Sequence, residues 1–316
     1  MMRTVAVDIL TGFLGSGKTT LLRHVLDYGL SGKPVAIVMN EIGEVGIDGR
    51  VVTGLSAVEK MVELSSGCIC CQIDDYKFDL AIQEIIETAK PHLIIIESTG
   101  LADPEPLAYR VKSAGLGLDA VITVVDAANV ERQLAETKVA RAQIEAADFL
   151  VVNKLDLVDA PAVARLERRL AKLNPRAERM KTVRGALDSD VLFATGVATF
   201  RERARAGSDH LHADAIGSFV YRSRLPLRQA MFERLLRRLP ADILRAKGIV
   251  RFADRDWHCL FNFTCGRHEL TWVKLEGGME ESQAVFIGRD LRRHQGRIEA
   301  ALAACEVGPE GKAQHG

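Results

Sequence analysis

The sequence predicts an α/β fold with a mainly parallel sheet and helices on both faces, followed by a smaller α+β domain. Short, nearly continuous apolar runs, of which HLIIIES (92–98) is the clearest, are typical of buried parallel strands. Segments in which apolar residues recur at helical spacing, such as 74–90, separate these runs. Strands that alternate with helices form a parallel sheet covered on both faces. After Gly217 the order of the elements changes, which indicates a second domain.

The elements of the first domain follow from these two patterns in chain order. Strands are predicted at 4–10, 34–40, 61–65, 92–98, 119–126 and 148–153, and helices at about 18–28, 74–90, 129–146 and 157–174. The polar, glycine-containing stretch 174–214 is predicted to contain the end of the first domain and a linker.

The second domain is predicted to mix strands with two helices. Strands are expected at 218–222, 249–252, 257–263, 270–275 and 284–287, and helices at about 228–239 and 290–304. Cys259 and Cys265 lie in strand-like segments and are predicted to be core residues. The expected limits are 1–185 for the first domain, 186–214 for the linker, 215–306 for the second domain and 307–316 for a disordered tail.

The composition excludes several classes of partner. The 316 residues are 47% hydrophobic and 27% charged, which is ordinary for a globular protein. Lys+Arg and Asp+Glu both number 42, and this balance offers no basic surface for nucleic acid. No apolar run approaches the length of a membrane helix, and the N-terminus predicts a strand rather than an export signal. We therefore expect a cytoplasmic protein with no nucleic-acid or membrane partner, whose cysteines stay reduced.

The segment GFLGSGKT (12–19) matches G-x-x-x-x-G-K-[ST] and lies between a predicted strand and a predicted helix. Its glycines allow successive backbone N–H groups to surround a phosphate at the helix N-terminus. We expect Lys18 to reach the β- and γ-phosphates and the Thr19 hydroxyl to ligate Mg²⁺, so both are predicted to be catalytic. The first domain is therefore predicted to be a P-loop NTPase domain. Its predicted nucleotide-binding residues here are Gly12, Gly15, Ser16, Gly17, Lys18, Thr19 and Thr20.

The segment NKLD (153–156) follows an apolar strand and matches the Asn-Lys-x-Asp signature of GTP-binding proteins. The Asp156 carboxylate can accept hydrogen bonds from N1–H and the 2-amino group of guanine, a donor pair that adenine lacks. Asn153 can contact the other edge of the base, and the Lys154 stem can lie over its face. Such a site rejects a base without these donors by roughly 10⁴-fold, so guanine is the predicted base.

The segment ESTG (97–100) ends the apolar strand LIIIE. Glu97 is expected to hold a water bound to Mg²⁺ and is predicted to be catalytic, whereas the Gly100 N–H could bind the γ-phosphate. The alternative is a carboxylate that merely ends the strand beside a turn glycine.

The stretch SSGCICCQ (65–72) places three of the six cysteines within four positions. Such a cluster could be core packing, a redox pair of Cys68 and Cys71, or a metal site. The pattern is poor for a core, and Cys70 would compete with a redox pair. Thiolates bind ions such as Zn²⁺, Cu⁺ and Co²⁺, so Cys68, Cys70 and Cys71 are predicted to be metal ligands.

The segment NEIGEVGIDG (40–49) is rich in glycine and carboxylate and is expected to act as a switch around Mg²⁺ and the γ-phosphate. Glu41 or Asp48 could ligate Mg²⁺. Glu41 could alternatively add an oxygen ligand to the thiolate site, and we include it among the predicted metal ligands.

Seven segments together resemble the CobW-type metallochaperone GTPases, a family related to UreG and HypB. They are TGFLGSGKTTLL (11–22), NEIGEVGIDG (40–49), GCICC (67–71), ESTGLADP (97–104), NKLD (153–156), LRAKGIVRF (244–252) and VFIGRDL (285–291). The resemblance implies GTP hydrolysis coupled to binding a transition metal, which is zinc or cobalt in most members and iron in some, and to its delivery to a client metalloprotein. It also implies that the C-terminal domain engages the client.

Two features associated with such proteins, a histidine-rich stretch and an arginine finger, are not found in this sequence. Family members often carry a long histidine-rich stretch between the domains, whereas this chain has only His210 and His212 there. No arginine finger is identifiable from the sequence, so slow intrinsic turnover is expected, and a client or a second copy in a homodimer formed on GTP and metal binding could supply one. The alternatives are a regulatory nucleotide switch with no metal cargo and a small-molecule kinase, the latter disfavoured by the NKLD segment.

Overall fold

The computed structural model describes residues 5–28, 34–39, 58–63, 75–187, 192–193, 216–273 and 281–308. The chain divides into two compact units, Met1–Thr195 and Gly196–Gly316. No helix within the described residues combines the length and the apolar character needed to span a bilayer.

Seven described strands form the sheet of the first unit, in the order β3-β2-β4-β1-β5-β6-β7, and all neighbours are parallel. β1 lies between β4 and β5, with Leu10 opposite Glu97 and Thr11 opposite Thr123. The parallel sheet predicted from the apolar runs is therefore confirmed. The strands are β1 Ala6–Thr11, β2 Val35–Met39, β3 Val58–Glu63, β4 Leu93–Glu97, β5 Gly117–Asp126, β6 Phe149–Asn153 and β7 Glu178–Lys181.

The helices of the first unit cover this sheet. One apolar cluster joins Phe78 of α2 and Leu107 of α3 to sheet residues such as Val7. Side chains that alternate with this cluster, among them Ile37 and Ile95, are also fully buried, so both faces are covered as predicted. The helices are α1 Lys18–Tyr28, α2 Asp75–Ala89, α3 Pro104–Ser113, α4 Val130–Glu136, α5 Lys138–Ala146 and α6 Ala160–Leu173.

The structure differs from the sequence prediction at three elements. The single helix predicted over 129–146 is two helices, because Thr137 is extended and its hydroxyl caps α5 by accepting from the Ala140 N–H at 3.1 Å. α3 was not predicted, although Asp103 caps its first turn and proline starts it. β7 was also not predicted, because it is a polar edge strand in which only Met180 is buried and which has no apolar run.

The second unit is a five-stranded antiparallel sheet in the order β11-β10-β9-β12-β8, with α7 and α8 packed on its core. Phe232 of α7 contacts the Phe261 ring edge to face, at 5.0 Å between ring centroids. The predicted α+β domain is therefore confirmed. Its elements are β8 Ile216–Ser223, α7 Gln229–Leu236, β9 Ile243–Arg251, β10 His258–Thr264, β11 Arg267–Val273, β12 Ser282–Arg289 and α8 Leu291–Cys305.

The two cysteines predicted for the core of this unit differ in environment. Cys259 is fully buried, and burial raises the pKa of its thiol to about 12, so it is a protonated core residue at neutral pH. Cys265 is only half-buried. It lies with Gly266 in the two-residue turn between β10 and β11, where both residues have positive φ, 45° and 87°. The core prediction for Cys265 is therefore wrong, because the strand ends one residue before it.

Candidate nucleotide-binding site

The predicted nucleotide-binding segments meet at one edge of the first sheet. Because the seven strands are parallel, their carboxyl ends share that edge, which is where open α/β sheets bind ligands. The P-loop follows β1, and Gly100 follows β4. Lys154 and Asp156 follow β6, in which Asn153 is the last residue. The topology thus gathers segments that are up to about 140 residues apart in the chain.

The P-loop has a conformation that its glycines alone permit. Gly12, Gly15 and Gly17 have φ of 133°, 73° and 103°, a region that other residues rarely adopt. A Cβ on Gly12 would lie 2.3 Å from the Val124 carbonyl oxygen. The Lys18 Nζ donates to the Gly12 carbonyl at 2.9 Å, so the ammonium lies back across the loop.

The three hydroxyl-bearing residues predicted for this site differ in their burial. Ser16 is fully buried, Thr19 is half-buried and Thr20 is exposed. α1 begins at Lys18, so Thr19 and Thr20 lie in its first turn, where backbone N–H groups have no partner within the helix. This arrangement suits an anion at the helix N-terminus.

Asn153 ties the P-loop to the base side of the site. Its Nδ2 donates to the Ser16 carbonyl at 3.0 Å, and its Oδ1 accepts from the Gly185 N–H at 3.2 Å. A Cβ on Gly17 would lie 2.4 Å from the same Nδ2. The predicted contact of Asn153 with the other edge of guanine would use the second N–H of Nδ2, because O6 and N7 on that edge are acceptors, while the two observed bonds of the amide join the two loops.

Lys154 is held by a carboxylate that the sequence analysis missed. Its backbone is left-handed, with φ of 61°, and its Nζ lies 2.8 Å from Asp126 Oδ2 at the end of β5. Asp126 is 2% exposed and its Oδ1 accepts from the backbone of Ala128 and Asn129. Burial acts to raise the pKa of Asp126, but hydrogen bonds from Lys154 and Asn129 and the lysine charge outweigh it and lower the pKa. The available signal was the acidic residue that ends the strand VITVVD.

We expect Asp126→Asn to weaken guanine-nucleotide binding about tenfold, because a hydrogen bond to a charged group contributes about 1.5 kcal/mol. The ion pair that orients Lys154 would be lost while the shape of the residue is kept. Because the folded-state pKa is lowered, the stabilisation is present above the unfolded value of about 3.9 and is lost as pH falls through the lower folded value. Titration with fluorescent GDP measures the nucleotide affinity, and acid unfolding measures the pH dependence of stability. Asp79→Asn on the exposed face of α2 makes the same charge change and should alter neither.

Asp156 lies at the outer end of this segment. It is exposed in a single 3-10 turn, Leu155–Leu157, which closes when the Leu157 N–H donates to the Lys154 carbonyl at 3.1 Å. Its carboxylate is therefore accessible to a base, as the guanine prediction requires.

The loop after β7 forms a further part of the base side and was assigned by the sequence analysis to the polar end of the domain. Arg184 and Gly185 have positive φ, 54° and 71°, and a Cβ on Gly185 would lie 2.8 Å from Leu21 Cα of α1. Glycine is therefore required for this close approach. The Gly185 N–H bond to Asn153 then joins this loop to the base-binding segment. The isolated glycine after a polar strand was the available signal.

Glu97 and Gly100 lie beside the P-loop. Glu97 ends β4 and is buried. The next residue, Ser98, donates from its N–H to the Leu10 carbonyl at 2.9 Å and from its Oγ to Thr11 Oγ1 at 2.8 Å. A Cβ on Gly100 would lie 2.6 Å from the backbone nitrogen of Leu14. The loop after β4 thus touches the loop predicted to hold the phosphates.

The predicted transition-metal ligands Glu41, Cys68, Cys70 and Cys71 lie outside the described residues, as do Asp48, His210 and His212. Among the residues that are described, no group of three His, Cys, Asp or Glu side chains could hold a metal ion. The described cysteines Cys259, Cys265 and Cys305 all lie in the second unit.

A parallel sheet with a P-loop after its central first strand and an Asn-Lys-x-Asp segment after β6 defines a P-loop protein of the GTPase class. Residues 6–181 match the CobW/HypB/UreG nucleotide-binding domain, and residues 216–306 match the cobalamin synthesis protein cobW C-terminal domain. The chain belongs to this family, the CobW-type metallochaperone GTPases, and it is a GTPase.

Two relatives and one solved structure illustrate the similarity. The chain is 31% identical to the zinc chaperone YjiA of Escherichia coli (strain K12), over 96% of this chain and 99% of that protein. It is 37% identical to the zinc-regulated GTPase metalloprotein activator 1 of Schizosaccharomyces pombe, over 58% of this chain and 47% of that protein. The crystal structure of Zn(II)-bound YjiA GTPase from E. coli is 28% identical and covers 97% of this chain and 100% of its own, with a TM-score of 0.47.

Proposed function

We propose that GTP hydrolysis by this chain is coupled to binding zinc or cobalt through Cys68, Cys70 and Cys71 and to delivering the ion to a client protein. One structural observation supports this most. β3 ends at Glu63 on the carboxyl edge of the parallel sheet, the edge that carries the P-loop, and Cys68 follows five positions later in the sequence. The names of the relatives, zinc chaperone and zinc-regulated GTPase metalloprotein activator, agree with a zinc cargo.

In this proposal the nucleotide is held by groups that the sheet edge brings together. Lys18 turns from the Gly12 carbonyl to the β- and γ-phosphates, and the Gly100 N–H binds the γ-phosphate. Asp156 binds guanine. The Thr19 hydroxyl and the Glu97 carboxylate are hard oxygen donors at this edge, which suits Mg²⁺, with Glu97 acting through a water. Bound Mg²⁺ would neutralise charge that develops on the phosphate oxygens.

We further propose that a second copy of the chain covers the nucleotide edge when GTP and metal are bound. Leu14 in the P-loop and Leu101 in the loop after β4 are 57% and 51% exposed, and both lie beside the Gly100 approach to the P-loop. Two exposed leucines close together at this edge suit contact with a protein partner. A reducing cytosol is the proposed setting, and the domain 215–306 is the proposed client side.

Binding of GTP and metal must be coupled if the ion is released on hydrolysis. GTP with Mg²⁺ would order the 40–49 switch and assemble the thiolate site, and hydrolysis would loosen both. Thermodynamic linkage then requires metal to tighten GTP binding by the factor by which GTP tightens metal binding.

We expect Co²⁺ to give a thiolate absorption band with the reduced protein, and non-hydrolysable GTP to tighten Zn²⁺ binding about tenfold relative to GDP, a typical coupling energy of about 1.4 kcal/mol. Cys70→Ser and Cys71→Ser should each weaken the band and the affinity for the ion, since each removes one soft ligand. The test is a competition titration with Mg²⁺ and either nucleotide present. Cys265→Ser, at a hairpin turn of the second unit, is the matched control and should leave the band intact.

A missing thiolate band in both nucleotide states would contradict the metal proposal. The chain would then be a regulatory nucleotide switch whose cysteines carry no ion. A band that forms with the same zinc affinity in GDP and in the GTP analogue would leave a metal site but remove its coupling to hydrolysis.

A further inference from the structure

Gln143 is a buried polar residue of α5 that the nucleotide contacts described above do not use. Gln143 is 1% exposed. Its Nε2 donates to two backbone carbonyls of the loop after β4, Gly100 O at 3.2 Å and Ala102 O at 3.0 Å. Both donor hydrogens of the amide are therefore committed to one loop, the loop that contains the predicted γ-phosphate contact.

The glutamine is itself held in place by the sheet. The Thr123 hydroxyl of β5 donates to the Gln143 backbone carbonyl at 2.7 Å, and Thr123 is buried opposite Thr11 of β1. α5 is also fixed at its start by the Thr137 cap. The amide of Gln143 thus has a rigid base from which to position a loop more than 40 residues earlier in the chain.

The contacts act on the peptide that carries the Gly100 N–H. The Ala102 N–H donates to the Thr99 carbonyl at 3.1 Å, and in a trans peptide this carbonyl points opposite to the Gly100 N–H. Gln143 holds the carbonyl of Ala102 and also the carbonyl of Gly100 on the following peptide. The direction of the Gly100 N–H is therefore set by two peptides that Gln143 anchors.

The remaining part of the loop is fixed independently. Ser98 is bonded to Leu10 and Thr11 at the end of β1, and Asp103 caps α3 by accepting from the Glu105 N–H at 3.0 Å. Loss of Gln143 would therefore free the middle of the loop while both ends stay attached. Because both ends stay attached, loss of Gln143 should change one phosphate contact without displacing the rest of the loop.

We infer that Gln143 is a positioning residue that holds the Gly100 N–H toward the γ-phosphate and so sets the preference of the site for GTP over GDP. The inference rests on the proposed role of the Gly100 N–H. GDP lacks the γ-phosphate and does not use this contact, so Gln143 should affect the two nucleotides unequally.

Gln143→Met keeps the length of the side chain but removes both donors. We expect its affinity for GTPγS to fall about tenfold, the effect of one misplaced hydrogen bond to a charged group, while its GDP affinity stays within about twofold. Gln143→Glu provides a second measurement on a nearly isosteric side chain. The introduced carboxyl can donate one hydrogen bond, and only when protonated, so the GTPγS preference of this variant should partly recover as pH falls from about 8 to about 5.5, and that of Gln143→Met should not.

Gln133→Met is the matched control. Gln133 is a buried glutamine on the neighbouring helix α4, and within the described residues no hydrogen bond joins its side chain to the 98–103 loop. Displacement of fluorescent GDP measures both affinities, with thermal unfolding in parallel. Equal losses for GDP and GTPγS, or unchanged preference in both Gln143 variants, would overturn the inference. A wild-type protein with no preference for GTPγS would instead remove the proposed role of Gly100, and the inference with it.

Discussion

Asp156→Asn is expected to lower GTP affinity by roughly 10³-fold and to raise affinity for xanthosine triphosphate. The aspartate carboxylate can accept from both N1–H and the 2-amino group of guanine, and two charge-assisted hydrogen bonds at about 2 kcal/mol each correspond to that factor. In the variant the amide nitrogen would face the guanine amino group donor to donor. Xanthine has a carbonyl at that position, which the same amide nitrogen can bind.

The exposed position of Asp156 allows its effect on base recognition to be separated from an effect on folding. Asp156 is exposed in the Leu155–Leu157 turn, so its substitution leaves no buried group unsatisfied. Asp159→Asn is the control. It makes the same charge change nearby, and asparagine caps a helix as well as the aspartate that now accepts from the Ala162 N–H at 2.7 Å. Competition with GTP, ATP and xanthosine triphosphate measures the relative affinity of the variant for each base. A variant that still prefers GTP would place guanine recognition elsewhere.

Lys18→Ala is expected to reduce GTP hydrolysis by at least about 10²- to 10³-fold, the typical effect of removing one preorganised charge-stabilising group. The ammonium lies across the P-loop in contact with the Gly12 carbonyl at 2.9 Å, on the loop that is predicted to surround the phosphates. Its charge is needed most when charge spreads over the γ-phosphate oxygens, so kcat should fall along with affinity.

Single-turnover phosphate release, measured with the protein in excess, separates this effect from weaker binding. Lys172→Ala removes a lysine from the exposed last turn of α6, at the end of the helix remote from the carboxyl edge, and should leave the rate unchanged. Hydrolysis within about threefold of wild type in Lys18→Ala would exclude Lys18 from transition-state stabilisation.

The sequence predicted most of the first sheet because buried parallel strands are nearly continuous apolar runs. β4 and β6 were found within two residues of their observed ends for that reason. β7 was missed because an edge strand exposes charged side chains, as in ERMK (178–181). α3 was missed although Asp103 and Pro104 form a helix start, because the segment was interpreted only as part of a motif.

The chemistry-bearing segments could be found from the sequence because their function depends on local spacing. GFLGSGKT places its glycines and Lys18 by the geometry of one loop and one helix turn, and NKLD places Asp156 by one 3-10 turn. The tertiary structure alone decided which other side chains support them. Asn153 reaches Ser16 across 137 residues, Lys154 reaches Asp126 across 28, and Gln143 reaches Gly100 across 43.

These supporting contacts depend on strand order and register, which no local pattern specifies. Asp126 faces Asn153 because β5 and β6 pair in parallel with those residues in register, and this pairing brings Lys154 to the carboxylate. The amino-acid sequence by itself predicted that a nucleotide is bound and which motifs bind it. The long-range pairing of the strands decided which buried polar groups hold those motifs in place, because a buried donor or acceptor must find its partner wherever the fold puts one.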